Sequence, residues 1–372
     1  MRTKKILALL LCIVISCLAL VSCDDEIGTW LDKYDWEPEV VAKVEFDLYI
    51  IVGEGTDDVA MITVSDKINQ YLDDKYNTTL NINYISADEY AASISSIINP
   101  VSRSTVIYDD ETQYGGKIVL IDSKETYDSL AEANLLSDLS AYLDTKEFAS
   151  LNTQLTETIV DAARESSGAL YAIPNEHVIG EYEYVIINRA IAEGQLHYSA
   201  QSELLEITSI EDAAELISAA GALGYAENEV VRVVTGSYEN KAYWESEGWI
   251  CNVSEYPQAT KEAVFASAFG VVADGDSDSD VDFTYRAMQI IYSINADETL
   301  RNLLQYGVEN TNYQMKNGIV VPLTGEGSEY NMNIIYTGDV FKAYYCDGVW
   351  TAEMKSNGEV QNKEAVLYEQ AE

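Results

Sequence analysis
Lys117-Ile118-Val119-Leu120-Ile121-Asp122 is the stretch that decides the fold class. Its apolar run is unbroken, as in a parallel strand buried on both faces, and an acid follows at the carboxyl end. Working outward, Val44, Phe46, Leu48 and Ile50 alternate with Glu45, Asp47 and Tyr49, the period-2 mark of a strand. Gly53-Glu54-Gly55-Thr56 breaks that run. Asp57 or Asp58 can then cap a helix in which Met61, Val64, Ile68 and Leu72 recur every three to four residues. Leu80, Ile82 and Tyr84 make a second strand, and Ser86 opens a helical stretch to Asn99-Pro100. Strand, helix, strand, helix, strand predicts an open α/β sheet, and such sheets bind ligands beyond the carboxyl ends of their strands. That rule makes Glu54 and Asp122 candidate ligand contacts; the plainer reading is two solvated loop carboxylates.

The chain has 372 residues, of which 63 are acidic and 22 basic, for a formal charge of −41. Nucleic acid and anionic membrane faces would be repelled by that field. With 47% apolar residues the chain is no disordered polyanion, and its length predicts about two domains.

Met1-Arg2-Thr3-Lys4-Lys5 is basic, Ile6 to Val21 is apolar, and Ser22-Cys23 follows. This is the pattern of a secretory signal over 1–22, too short to span a bilayer comfortably. Leu20-Val21-Ser22-Cys23 resembles the bacterial lipobox, which implies acylation of Cys23 and a lipid anchor on the extracytoplasmic face of the cell membrane. Two acyl chains hold where one would not. Residues 23–43, acidic and carrying Trp30 and Trp36, read as a tether. Cys251 and Cys346 remain in the mature chain, either as a disulfide or as two buried thiols.

Further along, a polar insertion at about Val101 to Tyr114 precedes the buried strand, and helices dominate to Ser167-Gly168. Strand-like runs lie in Ala169–Asn175, Tyr184–Asn188 and Val230–Val234. Ser209-Ile210-Glu211-Asp212 resembles a capping box, and Tyr243-Trp244 and Trp249 fall in an expected loop. A last helical unit runs from about Asp282 to Gly307, with a turn at Asn295-Ala296-Asp297.

Three segments then resemble the carbohydrate-type solute-binding lipoproteins of ABC importers in Gram-positive bacteria. They are Gly168-Ala169-Leu170-Tyr171-Ala172-Ile173-Pro174-Asn175; Ala268-Phe269-Gly270-Val271 with Leu303-Leu304-Gln305-Tyr306-Gly307 through Tyr313; and Tyr336-Thr337-Gly338-Asp339 with Gln361-Asn362. Asp339 stands where the family usually has asparagine, the stretch between Gly224 and Thr260 is short, and the 101–114 insertion has no counterpart. The resemblance implies a type II periplasmic-binding-protein fold: two discontinuous α/β lobes with mixed sheets flanked by helices, joined by crossing hinge strands. It places lobe 1 at 44–176 plus about 251–272 and lobe 2 at 183–250 plus about 280–372. It also implies a monomer that takes a sugar or oligosaccharide and passes it to an ABC permease, with no cofactor.

Sugar sites combine planar acceptors with aromatic platforms, and the chain has 27 tyrosines and five tryptophans. Trp244, Trp249 and Trp350 are candidate stacking residues, with local packing as the plainer alternative. Asn175, after the Ile-Pro of the first crossing, and Asp339 are candidate polar contacts. His177 reads as structural or as cleft lining. Asp274-Gly275-Asp276-Ser277-Asp278-Ser279-Asp280 begins like a calcium loop but lacks the glycine at position six and the glutamate at twelve, so an acidic loop without metal is expected. No GxSxG, Walker A or HExxH occurs, and no catalytic residue is assigned. The other classes are a surface receptor or adhesin on the same scaffold and a glycoside-acting enzyme with a carboxylate pair.

Overall fold
The computed structural model describes residues 42–98, 112–155, 157–199, 203–273 and 282–368. The signal segment, Cys23, the tether to residue 41, the insertion up to residue 111 and the acidic loop 274–281 lie outside the described residues.

In chain order the elements are β1 (Lys43–Val52), α1 (Asp58–Tyr76), β2 (Thr78–Ser86), α2 (Ala87–Ile98), β3 (Thr112–Ile121) and α3 (Lys124–Glu132). Short helical turns at Ser140–Leu143, Ala149–Gln154 and Glu157–Ala163 lead to β4 (Ala172–Pro174) and β5 (Gly180–Asn188). After a π-helical turn at Ala190–Gln195 come α4 (Ala214–Ala222), β6 (Val231–Gly236), α5 (Tyr238–Ser246) and β7 (Trp249–Ala259). The turn Lys261–Val264 precedes β8 (Ala268–Ala273), α6 (Phe283–Ala296) and α7 (Glu298–Tyr306). The rest is β9 (Tyr313–Lys316), β10 (Ile319–Pro322), 3-10 turns at Ile334–Thr337 and Val340–Lys342, β11 (Tyr345–Cys346), α8 (Ala352–Glu364) and β12 (Val366–Leu367).

The first sheet runs β2-β1-β3-β8-β4, with β1 parallel to β2 and β3, and β8 antiparallel to β3 and β4. Alternation in β1 does what it predicts: Val44, Phe46, Leu48 and Ile50 are fully buried. Ile118 to Ile121 of β3 are buried on both faces. Asp57 caps α1 by accepting from Val59 N at 2.7 Å, and the buried stripe is Ala60, Val64, Ile68 and Leu72. Val64, Ile68 and Leu72 are as expected, while Met61 is only half-buried and Ala60 takes its place at the start of the stripe.

The second sheet runs β12-β7-β5-β6. Tyr182, Tyr184 and Ile186 of β5 face one layer, and Val185 and Ile187 face the other, beneath α4. A small third sheet, β11-β10-β9, closes over Tyr306.

The boundaries within the lobes differ from the expected ones. β7 pairs with β5 over Gly180–Asn188, so 249–259 belongs to the second sheet and not with 268–273 in the first. Helices α6 and α7 bury Phe283, Met288, Ile291, Leu300 and Leu304 in the core of the first sheet, although 280–372 was expected in lobe 2. The apolar face of α6 has a ready partner in β3 and β8 and that of α7 in α1, and local periodicity does not show which sheet a helix will cover.

Candidate functional site
Ile121 of β3 and Pro174 of β4 both pair with Ala268 of β8. Asp122, Asn175 and Ser267 therefore emerge together at one end of the first sheet, where β1 also ends. Asp122 is half-buried and accepts from Thr126 Oγ1 at 2.6 Å, beside Ser123, the N-cap of α3. Burial, and then the Asp122 charge, raises the Tyr336 hydroxyl above its ordinary pKa. Glu54 is exposed in the loop after β1. That loop is fastened to Asn331: Gly53 N donates to Asn331 O at 2.8 Å, and Asn331 Nδ2 donates to Glu54 O at 3.1 Å. A Cβ at Gly53 would stand 2.9 Å from Asn331 O, so only glycine fits there.

Three chain segments pass between the sheets: 175–179, 260–267 and the stretch from the 334–337 turn to α8. Their side chains bind one another. Asn175, with no exposed surface, donates through Nδ2 to Ser267 Oγ at 2.7 Å and to Ile335 O at 3.2 Å. Ser267 Oγ donates to Ile335 O at 2.5 Å. Asn362 Nδ2 donates to the Glu176 carboxylate at 2.8 Å and to His177 O at 2.6 Å, while its Oδ1 accepts from Ile179 N at 3.1 Å. Gln361 donates to Gly180 O and accepts from Tyr238 N. The buried amides of the expected Gln361-Asn362 element thus hold the first crossing to α8, each hydrogen bond offsetting the cost of burying a polar group.

The polar side of α7 fixes the third crossing to lobe 1. Fully buried Arg301 donates to Asp339 O at 3.0 Å and Ile334 O at 3.1 Å, and burial lowers its pKa to about 10. Asn302 Nδ2 donates to Lys342 O at 2.9 Å, and Gln305 Nε2 donates to Met332 O at 2.8 Å. Gln305 of the Leu303–Gly307 motif, with Arg301 and Asn302 just before it, therefore reads backbone carbonyls.

Asp339 is 5% exposed. Its Oδ1 accepts from Phe341 N at 2.8 Å, capping the turn Val340–Lys342, and Lys342 Nζ stands 3.7 Å from Oδ2. Burial raises its pKa against the pull of Lys342. Asp339, Phe341, Glu176 and Asn362 line a recess of about 490 Å³ shared with Glu157 of lobe 1 and Lys363 of α8. A second recess, about 710 Å³, lies on Lys124, Arg164, Lys261 and Tyr368.

In lobe 2, Trp244 and Trp249 are not in a loop. Trp244 sits on α5, capped by Ser237 and Asn240, and its ring meets Tyr184 edge-on at 5.8 Å. Trp249 opens β7, with the Arg232 guanidinium 4.7 Å over its ring. Both are half-buried on the same face of the sheet. Trp350 is buried against Phe341, 5.7 Å edge-to-face, and lines neither recess. Sequence reasoning missed Tyr238, which is 37% exposed, packs on Tyr182 and carries Lys241 over its ring. It follows Gly236, paired with Tyr182 two residues from where β5 leaves the hinge, and so stands at the hinge end of lobe 2. The Gly236-Ser237 stop before an aromatic was the available signal.

Cys251 and Cys346 are free and buried in separate clusters. Among the described residues no group of His, Cys, Asp and Glu could hold a metal ion, and no helix is long and apolar enough to cross a membrane.

No family model matches the sequence, and no curated protein matches it. Among solved structures, the N-glycan transport solute-binding protein NgtS of Streptococcus pneumoniae is similar at TM-score 0.57 and 16% identity, over 87% of this chain and 84% of that one. Its complex with Man1GlcNAc is similar at TM-score 0.53 and 15% identity over 87% and 84%, and its complex with Man5GlcNAc at 0.53 and 16% over 87% and 83%. The likeness is one of fold: two α/β lobes with mixed sheets, joined by crossing segments.

Proposed function
We propose that this chain is an exported solute-binding protein, anchored through acylated Cys23, which captures a sugar or oligosaccharide between its lobes and hands it to an ABC permease. The observation that carries the reading is the bonded hinge, in which Asn175, Ser267, Ile335 and Asn362 tie three crossings together while leaving two separate sheets on either side. Such a joint concentrates flexing in a few residues and supports closure by rotation of whole lobes. The solute contacts both lobes only when they close, so binding shifts the population toward the closed form.

In this reading Glu54 and Asp122 offer acceptors from lobe 1, and Tyr238, packed on Tyr182, offers an aromatic platform from lobe 2, with Trp244 and Trp249 in the same aromatic layer. Asp339 borders the solute at the hinge; Asn175 and Trp350 support the site from within. No catalytic step is assigned to any of them. The likeness to NgtS supports beginning with mannose- and N-acetylglucosamine-containing oligosaccharides. A thermal-shift screen against sugars, amino acids, short peptides and nucleosides tests the assignment. A solute at a hundred times its Kd adds about 2.7 kcal/mol. Stabilisation by one sugar class without turnover supports the reading; stabilisation by a peptide or nucleoside alone reassigns the cargo.

A further inference from the structure
His177 lies in the first crossing, 4% exposed, with a carbonyl oxygen at each ring nitrogen. Nδ1 is 2.7 Å from Asn175 O on its own crossing, and Nε2 is 2.9 Å from Ala263 O on the second. A neutral imidazole has one N–H; its other nitrogen is a lone pair, which repels a carbonyl oxygen. Only the imidazolium donates to both. The neutral ring therefore holds one of the two oxygens and opposes the other, and the contact it opposes is eased by any movement that parts the crossings.

We propose that His177 is a positioning residue whose proton count sets how firmly the first two crossings are held together: one proton ties one carbonyl, two protons tie both, so lobe opening responds to acid. The inference deepens the hinge-bending part of the proposed function and does not depend on which solute is bound. The charged groups on the adjoining elements are Glu176 on the same segment, Lys261 and Glu262 on the turn Lys261–Val264, Glu157 and Asp161 on the turn Glu157–Ala163, Asp339 and Lys342 on the third crossing, and Glu353, Lys355, Glu359, Lys363 and Glu364 on α8. The polar atoms at the two ring nitrogens are the carbonyl oxygens of Asn175 and Ala263. Burial lowers the ring's pKa, and the two carbonyls oppose that shift. Relative to the unfolded chain, then, His177 costs stability as pH falls below the ordinary imidazole range, about 6.5. Between two folded hinge arrangements burial is shared, and the proton is held more tightly where both oxygens are close.

The test uses full-length protein in detergent, without solute. The chain has only two histidines, and His197 is exposed, so nitrogen NMR of labelled histidine reads the His177 ring directly. Small-angle scattering follows lobe opening over the same series, from about pH 8 to about pH 5. The expected result is that the second ring nitrogen gains its proton, that the scattering curve moves toward one tighter arrangement with the same midpoint, and that His177→Gln, which cannot gain a proton, shows no such transition. A ring that stays singly protonated, a ring that titrates without a change in scattering, or a transition that survives in His177→Gln would each overturn the proposal. If the variant fails to fold, agreement or disagreement of the two wild-type midpoints decides alone. None of these outcomes bears on sugar capture, which the solute screen tests separately.

Discussion

The Asn175 side-chain amide donates to Ser267 Oγ at 2.7 Å, joining the first crossing to the second inside a joint closed to solvent. Asn175→Ala removes this bond and the one to Ile335 O. It leaves Ser267 still bonded to Ile335, so the joint loosens rather than collapses. The expected cost is about 1–3 kcal/mol, as for a buried amide lost from its partners, read from denaturant unfolding. Unchanged stability would mean that water replaces the amide and that the joint is open.

Asp339→Asn is expected to raise stability at neutral pH. Asparagine retains an acceptor for Phe341 N and removes a charge that burial disfavours. The sign follows from linkage: the folded state holds the Asp339 proton more tightly than the unfolded chain, so the native aspartate costs stability above its raised pKa, and that cost vanishes in acid. Unfolding midpoints of the two proteins should therefore differ at about pH 7 and converge toward about pH 4. A variant less stable at neutral pH would show that Lys342, 3.7 Å away, outweighs burial.

The fold was legible wherever one element carries its own signature. The apolar run of β3, the alternation in β1 and the Asp282–Gly307 helical unit all lie where expected. Membership of a sheet was not legible, because β7 has no local feature that chooses β5 over β8. Helix α5 was missed for a related reason: it has no fully buried residue, since it lays Trp244 over a face already filled with tyrosine. The site was legible as residue types only. Asn175 and Asn362 are visible as amides, but that Asn175 binds Ile335 and Asn362 binds Glu176 depends on chain 160 and 186 residues away.

Tyr238→Ala is expected to lower sugar affinity about tenfold, near 1.4 kcal/mol, with little change in unfolding. Trp244→Ala, by contrast, should lower both, because its ring packs on Tyr184. Calorimetric titration alongside thermal melts separates the two. Equal loss of affinity with intact folds would make Trp244 a direct contact.

Cys251 and Cys346 are free and lie in different clusters, and burial pushes the Cys251 thiol up to about 11. Both should resist an alkylating reagent in the native state and react together on unfolding, with no mobility change on reduction. Rapid reaction of either in the folded protein would place it at the surface.

The most direct measurement is small-angle scattering of the protein with and without the sugar that stabilises it. Capture between hinged lobes requires a smaller radius of gyration with saturating sugar, and an unaltered unbound curve with a sugar that gives no thermal shift. Binding that leaves the radius unchanged would contradict closure and place the sugar on one lobe alone.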